Sequence, residues 1–387
     1  MSSLGLYLHI PYCRSKCSYC DFYSGGVKIA DWENYTKAVL NELKSRKSEF
    51  KTLPDTLYLG GGTPSLIPGT ILDPLITQIK ENLNKDKDFK EFTLEVNPED
   101  ISVDNCKLWR KIGVNRISMG IQSFNDNELN VIGRRHTAKD SEESIRIIKD
   151  YFENVSIDLI FGLPLQTEET WERTLDKSFS LEPKHLSAYS LMLEPHTAIS
   201  NLVRNGRITL PSENSWINMW NILLKKIDDN GFRHYEISNF AKPSFESIHN
   251  NSYWFGKPYI GLGPSAHSYD GDRCRKWNPG NIKEYILFYG SNNHLNDELK
   301  SSSEKFYGEE ILSDKELEEE YIMTRLRTQN GINVEEFKQR FGSVSLETLL
   351  RKGKRFIDKS NLNLDNGYMK IARKSYLISD TIISSLF

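Results

Sequence analysis

Three features of this 387-residue sequence predict an α/β fold built on a parallel sheet. Short apolar runs rich in Val, Ile, Leu and Tyr alternate with longer helical patterns over the first two thirds, a rhythm that implies parallel strands with right-handed crossovers. About six such units recur, which suggests a partial (β/α)6 TIM-like barrel rather than an open sheet. Polar residues and glycines collect directly after the apolar runs, at what would be the carboxyl rim of the sheet, where barrels keep their chemistry. The remaining third reads differently and ends in a winged-helix-like, α-rich module.

In order, the strands read as Leu4–Ile10, Thr56–Leu59, Phe92–Val96, Arg116–Ile121, Ser156–Ile160 and Leu186–Leu191. Helical patterns lie near 31–50, 70–83, 103–112, 140–152 and 168–180, one in each interval. Runs so apolar fit strands covered on both faces. Residues 212–230 form an amphipathic helix, opened by Ser212 with Glu213 in the first turn and closed by Gly231. Two aromatic segments follow, 232–240 and 249–269. The polar stretch from about 290 to 315 reads as a linker. Residues 314–328, 333–341 and 345–359 read as helices, and 367–371 and 376–379 as short strands. The division expected is a barrel over 1–240, a segment with linker over 241–300, and a C-terminal module over 301–387.

Composition narrows the function. Hydrophobic content is 38% and charged content 27%, as in a globular protein. No stretch approaches the roughly 18 apolar residues of a membrane span, and the start lacks the pattern of a signal peptide. A cytoplasmic location follows as the expectation, with thiols kept reduced. Net charge is −3 and pI about 6.3, which gives no global footprint for nucleic acid. The basic run Arg351, Lys352, Lys354, Arg355 and Lys359 reads as the solvated face of an amphipathic helix. Cys106 is expected in the core and Cys274 in an exposed loop.

Cys13, Cys17 and Cys20 stand in the frame C-x-x-x-C-x-x-C after the first strand. Three thiolates suit three irons of a [4Fe–4S] cube and leave the fourth open to an outside ligand. With His9 they could instead make a tetrahedral zinc site. A disulfide suits them poorly, because one thiol is left over. The spacing, with Tyr19 before the last cysteine, resembles the signature of the radical S-adenosylmethionine superfamily. S-adenosylmethionine presents an amine, a carboxylate, a sulfonium and a ribose. Glu and Asp suit the amine and hydroxyls, Arg the carboxylate and Gln the sugar. Glu95 and Gln122 end strands and Asp158 lies on one; with Arg134 they supply that set, beside Gly60-Gly61-Gly62-Thr63-Pro64. His249-Asn250-Asn251-Ser252-Tyr253-Trp254 is the second distinctive segment: imidazole is a haem ligand, and aromatic rings stack on a porphyrin. The competing reading has His249 and Asn250 pinning a loop by hydrogen bonds.

The segments YLHIPYCRSKCSYCDF, GGGTPS, LEVNPE, RISMGIQSFN, IDLIFGLPLQT and HNNSYW together resemble the family of oxygen-independent coproporphyrinogen-III oxidase and its relatives, and within it the HemW-type haem chaperones. The resemblance implies a cluster on Cys13, Cys17 and Cys20 with Tyr7 in its surroundings. It puts S-adenosylmethionine on Gly61, Gly62, Thr63, Glu95, Gln122, Arg134 and Asp158, and haem near His249, Tyr253 and Trp254. It implies client haemoproteins, respiratory ones among them, and leaves room for peripheral contact with a membrane. Two departures separate the chain from the oxidases. They carry a further cysteine two residues after the third, where this chain has Phe22, and an extension before the cluster strand, whereas here six residues precede Tyr7. Both weigh against decarboxylation of coproporphyrinogen and for the chaperones, whose H-N-x-x-Y-W pattern the chain matches.

Overall fold

The structure, a computed structural model, describes residues 4–290 and 306–387. The expected linker therefore lies partly outside the described residues. Six parallel strands pair in chain order: β1 (Gly5–Ile10), β2 (Thr56–Gly61), β3 (Glu91–Val96), β4 (Arg116–Gln122), β5 (Asn154–Phe161) and β6 (His185–Ser190). The crossovers carry α1 (Trp32–Ser45), α2 (Gly69–Asn82), α3 (Val103–Ile112), α4 (Asp126–Val131) with α5 (Ala138–Lys149), and α6 (Glu168–Ser180). Their starts are locally encoded. Asp31, Ser102, Thr137 and Thr167 each accept a hydrogen bond from a first-turn amide.

The barrel does not close. After α7 (Ala198–Arg204) and α8 (Glu213–Asp229), β7 (Arg233–Glu236) and β8 (Asn239–Ala241) extend the sheet antiparallel beyond β6. After α9 (Ile248–Trp254), β9 (Tyr259–Leu262) pairs parallel with the free edge of β1. β10 (His267–Tyr269), β11 (Cys274–Trp277) and β12 (Gly308–Ile311) continue from it antiparallel. One twelve-stranded sheet results. The expected boundary at residue 240 thus falls inside one continuous sheet, and the end of the expected linker is strand β12. Cys274 starts a strand rather than lying in a loop, while Cys106 is buried in α3 as expected.

The strands alternate more strictly than their apolar look suggests. Leu6, Leu8, Leu57, Leu59, Phe92, Leu94, Ile117, Met119, Ile157, Leu159 and Leu186 are fully buried in the main core cluster. Their neighbours Tyr7, Thr56, Tyr58, Glu95, Ser118, Asp158, Ser156 and Ser187 bond to one another or to His9, His185 and His249 inside the barrel. The period of two puts grease outside against the helices and polar groups inside.

After α10 (Ile282–Gly290), the last part holds α11 (Asp314–Leu326), α12 (Val334–Phe341) and α13 (Ser343–Asp358). A three-stranded sheet joins them, made of β13 (Ile332–Asn333), β14 (Leu362–Asp365) and β15 (Tyr368–Ile371), with β15 in the centre. The hairpin differs from expectation. Its turn is Asn366-Gly367, both at positive φ (48° and 78°), the geometry that Asn-Gly favours. The strand before it is therefore 362–365, and 376–379 instead leads from a 3-10 turn into α14 (Ser379–Ser384). The basic run of α13 faces mainly solvent, with Arg351, Lys354, Arg355 and Lys359 exposed. Among the described residues no helix is long and apolar enough to cross a membrane.

One buried acid ties α1 to the far side of β1. Glu42, fully buried, accepts from Arg46 (3.0 Å), the Gly263 amide (2.9 Å), Asn278 (2.8 Å) and the Tyr285 hydroxyl (2.6 Å). Arg46 in turn donates to the Gly261 carbonyl, at 2.8 Å. Replacing Glu42 by Ala would take from buried Arg46 one of its two carboxylates, the other being Glu49 at 2.9 Å, and leave three further donors short of an acceptor. Glu42→Ala should cost about 3–5 kcal/mol in denaturant unfolding; a loss below about 1 kcal/mol would show that this cluster does not hold the β9 side in place.

Candidate functional site

A cavity of about 430 Å³ opens at the carboxyl ends of β1–β6. That volume lies within the range of small-molecule and cofactor sites. All three cysteines of the first loop line it, with Gly61, Gly62, Thr63, Glu95, Gln122, Arg134 and Asp158. Tyr7 sits behind this wall, its hydroxyl 3.1 Å from His9 Nδ1.

The cysteine loop is clamped to the glycine segment. The Gly62 and Thr63 amides donate to the carbonyls of Ile10 (2.7 Å) and Tyr12 (2.8 Å). A Cβ on Gly62 would lie 2.7 Å from the Tyr12 carbonyl oxygen, so only glycine allows this approach. Gly61, at φ 108°, turns its amide to Glu95 Oε2 at 3.1 Å. The amides of Gly61, Gly62 and Thr63 are thus spent on holding the site together. What this segment offers a ligand is close access to the chain.

Two donors are aimed at the sulfurs. Thr63 Oγ1 stands 3.5 Å from Cys13 Sγ, and Arg134 Nη1 stands 3.6 Å from Cys17 Sγ. Burial pushes the Cys20 thiol up. Among the described residues no three His, Cys, Asp or Glu side chains are gathered at metal-ligand spacing. The loop thus presents three thiols to one cavity without yet drawing them together. His9, the fourth ligand of the zinc alternative, is not with them: its Nε2 is 3.0 Å from the Tyr23 carbonyl and its Nδ1 faces Tyr7. Three thiols in one cavity, two of them facing hydrogen-bond donors, fit a group with three sulfur-bound irons better than a closed tetrahedral zinc.

The polar set is brought together as expected. Tyr58 donates to Glu95 at 2.8 Å, and burial raises the Glu95 carboxyl to about 7. Arg134 is fanned between Asn97 Oδ1 (2.7 Å), the Gly120 carbonyl (2.5 Å) and Cys17, so one guanidinium joins two strand ends to the cysteine loop. Asp158 accepts from Ser118 (2.8 Å) and Ser156 (2.9 Å). Gln122 takes φ 70° at a register shift in β4, which turns it onto the rim. Tyr58, Asn97, Ser118, Ser187 and Tyr189 line the same cavity and were not singled out from the sequence. Tyr58 reads as one more apolar strand residue, although the period of two places it on one face with Thr56 and Gly60.

The HNNSYW segment is helix α9, and its residues part company. His249, 1% exposed, lies on the barrel floor, at the ends of the strands opposite the cavity mouth. Its Nδ1 is 2.7 Å from Thr56 Oγ1 and its Nε2 2.7 Å from the Tyr253 hydroxyl. Its ring packs on Tyr58 with centroids 5.1 Å apart. Burial lowers its pKa to about 3. Glu91 Oε1 accepts the His249 amide at 2.9 Å, and Glu91 Oε2 the Ile248 amide at 2.7 Å. Both imidazole nitrogens thus have partners in this structure, and the ring pins the floor. Asn250 reaches the main cavity, whereas Tyr253 and Trp254 line a second one, against α11 and α12.

The raised Glu95 carboxyl predicts a pH dependence. Its pKa in the fold lies above that of an unfolded chain, so between pH 4.5 and 7 the folded protein holds a proton that the unfolded one releases. Stability then falls as pH rises through that window. Buried Glu236, also raised to about 7, acts in the same sense. Glu95→Gln should remove on the order of 1–3 kcal/mol of this pH-dependent loss between pH 5 and 8 in thermal unfolding; an unchanged slope would mean Glu95 ionises normally.

The model of the radical SAM superfamily matches residues 7–177, and that of the HemN C-terminal domain matches residues 312–377. The heme chaperone HemW of Bacillus subtilis is 35% identical over 342 residues, 87% of this chain and 86% of that protein. HemW of Lactococcus lactis is 38% identical over 336 residues, with 87% and 84% covered. Coproporphyrinogen III oxidase (HemN) from Escherichia coli shares the fold, with a TM-score of 0.81 at 22% identity over 100% of this chain and 90% of that one. The chain belongs to the radical SAM superfamily, in the family of the heme chaperone HemW.

Proposed function

We propose that this chain is a cytosolic haem chaperone, which binds haem and passes it to client haemoproteins, respiratory ones among them. The observation that carries the reading is the similarity to proteins named heme chaperone HemW along most of the chain. In this reading Cys13, Cys17 and Cys20 hold a [4Fe–4S] cluster. When bound, the cluster supplies an iron free of cysteine at which S-adenosylmethionine can be bound and reduced. Arg134, anchored by Asn97 and Gly120, offers its charge to the cofactor's carboxylate. Glu95, once ionised, takes the amine. Gln122 and Asp158 serve the sugar, Gly61, Gly62 and Thr63 allow the close approach, and Tyr7 backs the wall. Tyr253 and Trp254 belong to the haem side, and His249 holds the floor from which their helix starts.

Oxidative decarboxylation of coproporphyrinogen is the second reading, supported by the likeness of fold to the Escherichia coli oxidase. Phe22 speaks against it. Its ring, 68% exposed, lines the cavity where the oxidases carry a further cysteine, and it cannot act as a thiol.

Anaerobic reconstitution with iron and sulfide should yield close to about four irons per chain. Alanine at Cys13, Cys17 or Cys20 should abolish that uptake, while alanine at Cys106 or Cys274 should not. Given haem, the reconstituted protein should develop haem absorption bands. Given coproporphyrinogen, S-adenosylmethionine and a reductant, it should form no vinyl product, and such a product would replace this reading by the second. His249→Ala should lower the melting temperature and leave the haem bands in place; shifted bands at unchanged stability would restore His249 as a ligand.

A further inference from the structure

The second cavity, of about 190 Å³, lies where the C-terminal module meets the sheet extension. Tyr253, Trp254 and Phe255 enter it from the end of α9, and Tyr259 and Tyr269 from β9 and β10. Tyr321 and Arg325 of α11 and Arg340 of α12 close the other side. Two chain segments far apart in sequence thus bring an aromatic wall and a cationic wall face to face.

The cations are held in place. The Arg325 guanidinium lies over Phe255 (4.6 Å) and Tyr321 (5.0 Å), and that of Arg340 over Tyr321 (5.5 Å) and Phe341 (5.2 Å). Stacking of this kind orders a guanidinium while leaving its N–H edge free to donate. Acids are present: Glu320 lines the same cavity, and so does Arg275, with which it pairs. Glu310 stands 4.0 Å from the same arginine, and Glu336 reaches Arg325 only at 3.5 Å. Among the described residues Arg340 has no carboxylate at ion-pair distance. The Tyr321 hydroxyl, on a buried residue, lies close to Arg325 and Glu336 but makes no well-formed hydrogen bond with either. Arg340 is exposed to solvent, so its guanidinium is open to an incoming anion beside the buried Tyr321 hydroxyl.

We infer that this groove is a binding site for the carboxylate edge of a flat, apolar dianion of the tetrapyrrole dicarboxylate class, with Arg325, Arg340 and the Tyr321 hydroxyl holding its carboxylates and Trp254 and Tyr259 covering its ring. The inference rests on the haem-chaperone reading and adds that the C-terminal module supplies the anion-binding half. The cavity is smaller than the roughly 300 Å³ at which sites begin to enclose a ligand. It takes one edge of the ring system and leaves the rest in the open, an arrangement that suits a ligand to be handed on.

The test is an absorbance titration of the full-length protein with haem and with haem dimethyl ester, which lacks both charges. Wild type should bind haem at least about tenfold tighter than the ester, as expected for charge-assisted bonds to arginine. Arg340→Gln, and Arg325→Gln with Arg340→Gln, should weaken haem by about that factor and leave the ester unchanged. Arg340 has no ion pair to lose, so the single variant carries the test if the double variant melts early. Haem bound as tightly by Arg340→Gln as by wild type, or no preference of wild type for haem over its ester, overturns the groove assignment alone. Failure of wild type to bind either compound overturns the haem reading and the groove with it.

Discussion

The alternation of side chains along six parallel strands is the constraint on which this molecule depends. Each strand gives one face to the helices and the other to the barrel interior. The outer face is closed by Leu, Ile, Met and Phe packed against the crossovers. The inner face is thereby released from the core's demand for grease and carries Tyr7, Tyr58, Glu95, Ser118 and Asp158. Since all six strands run the same way, their inner faces end at one rim. A one-residue slip of any strand would exchange these sets and bury its polar row under a helix.

The interior network costs free energy as well as shaping the cavity. Glu95 sits deep enough to resist ionisation, and Arg116 is fully buried with two guanidinium nitrogens unpartnered. Such groups are tolerated where they have a task beyond packing. Arg134 illustrates the same economy on the rim. Three acceptors on different elements share its donors, so the cysteine loop, the end of β3 and the end of β4 are registered by one side chain.

Helix α9 links the two parts of the chain. Its amino end is capped by Glu91 and Ser247 inside the barrel floor, and its carboxyl end faces the C-terminal module. One short helix thereby contributes His249 to the floor, Asn250 to the main cavity, and Tyr253 and Trp254 to the groove. A motif read as one site on the sequence is divided among three places because residues one and four positions apart leave a helix on different sides or different turns.

Local patterns determined a great deal about this protein. The six strand runs, the helix caps and the cysteine frame are short-range features: the period of two, a side-chain oxygen three residues before an amide, and thiols a few residues apart are all legible in sequence. Glu95 and Gln122 could be chosen because strand ends in a parallel sheet must share a rim, and Arg134 and Asp158 because their chemistry completes the set that the cofactor needs. The hairpin at Asn366-Gly367 was equally legible and was missed because the apolar run at 376–379 drew the second strand to the wrong side of the turn. Long-range partners were decided only by the tertiary structure. Whether the imidazole of His249 is open to iron depends on Thr56, nearly two hundred residues away. Whether Arg340 faces an acid or an aromatic groove depends on how α12 meets α9 and β9. The pairing of β9 with β1 likewise sets Gly5 beside Tyr259, far apart in sequence, and nothing within either strand specifies it. These choices come from packing and from satisfying buried donors, which act between segments that the sequence keeps apart.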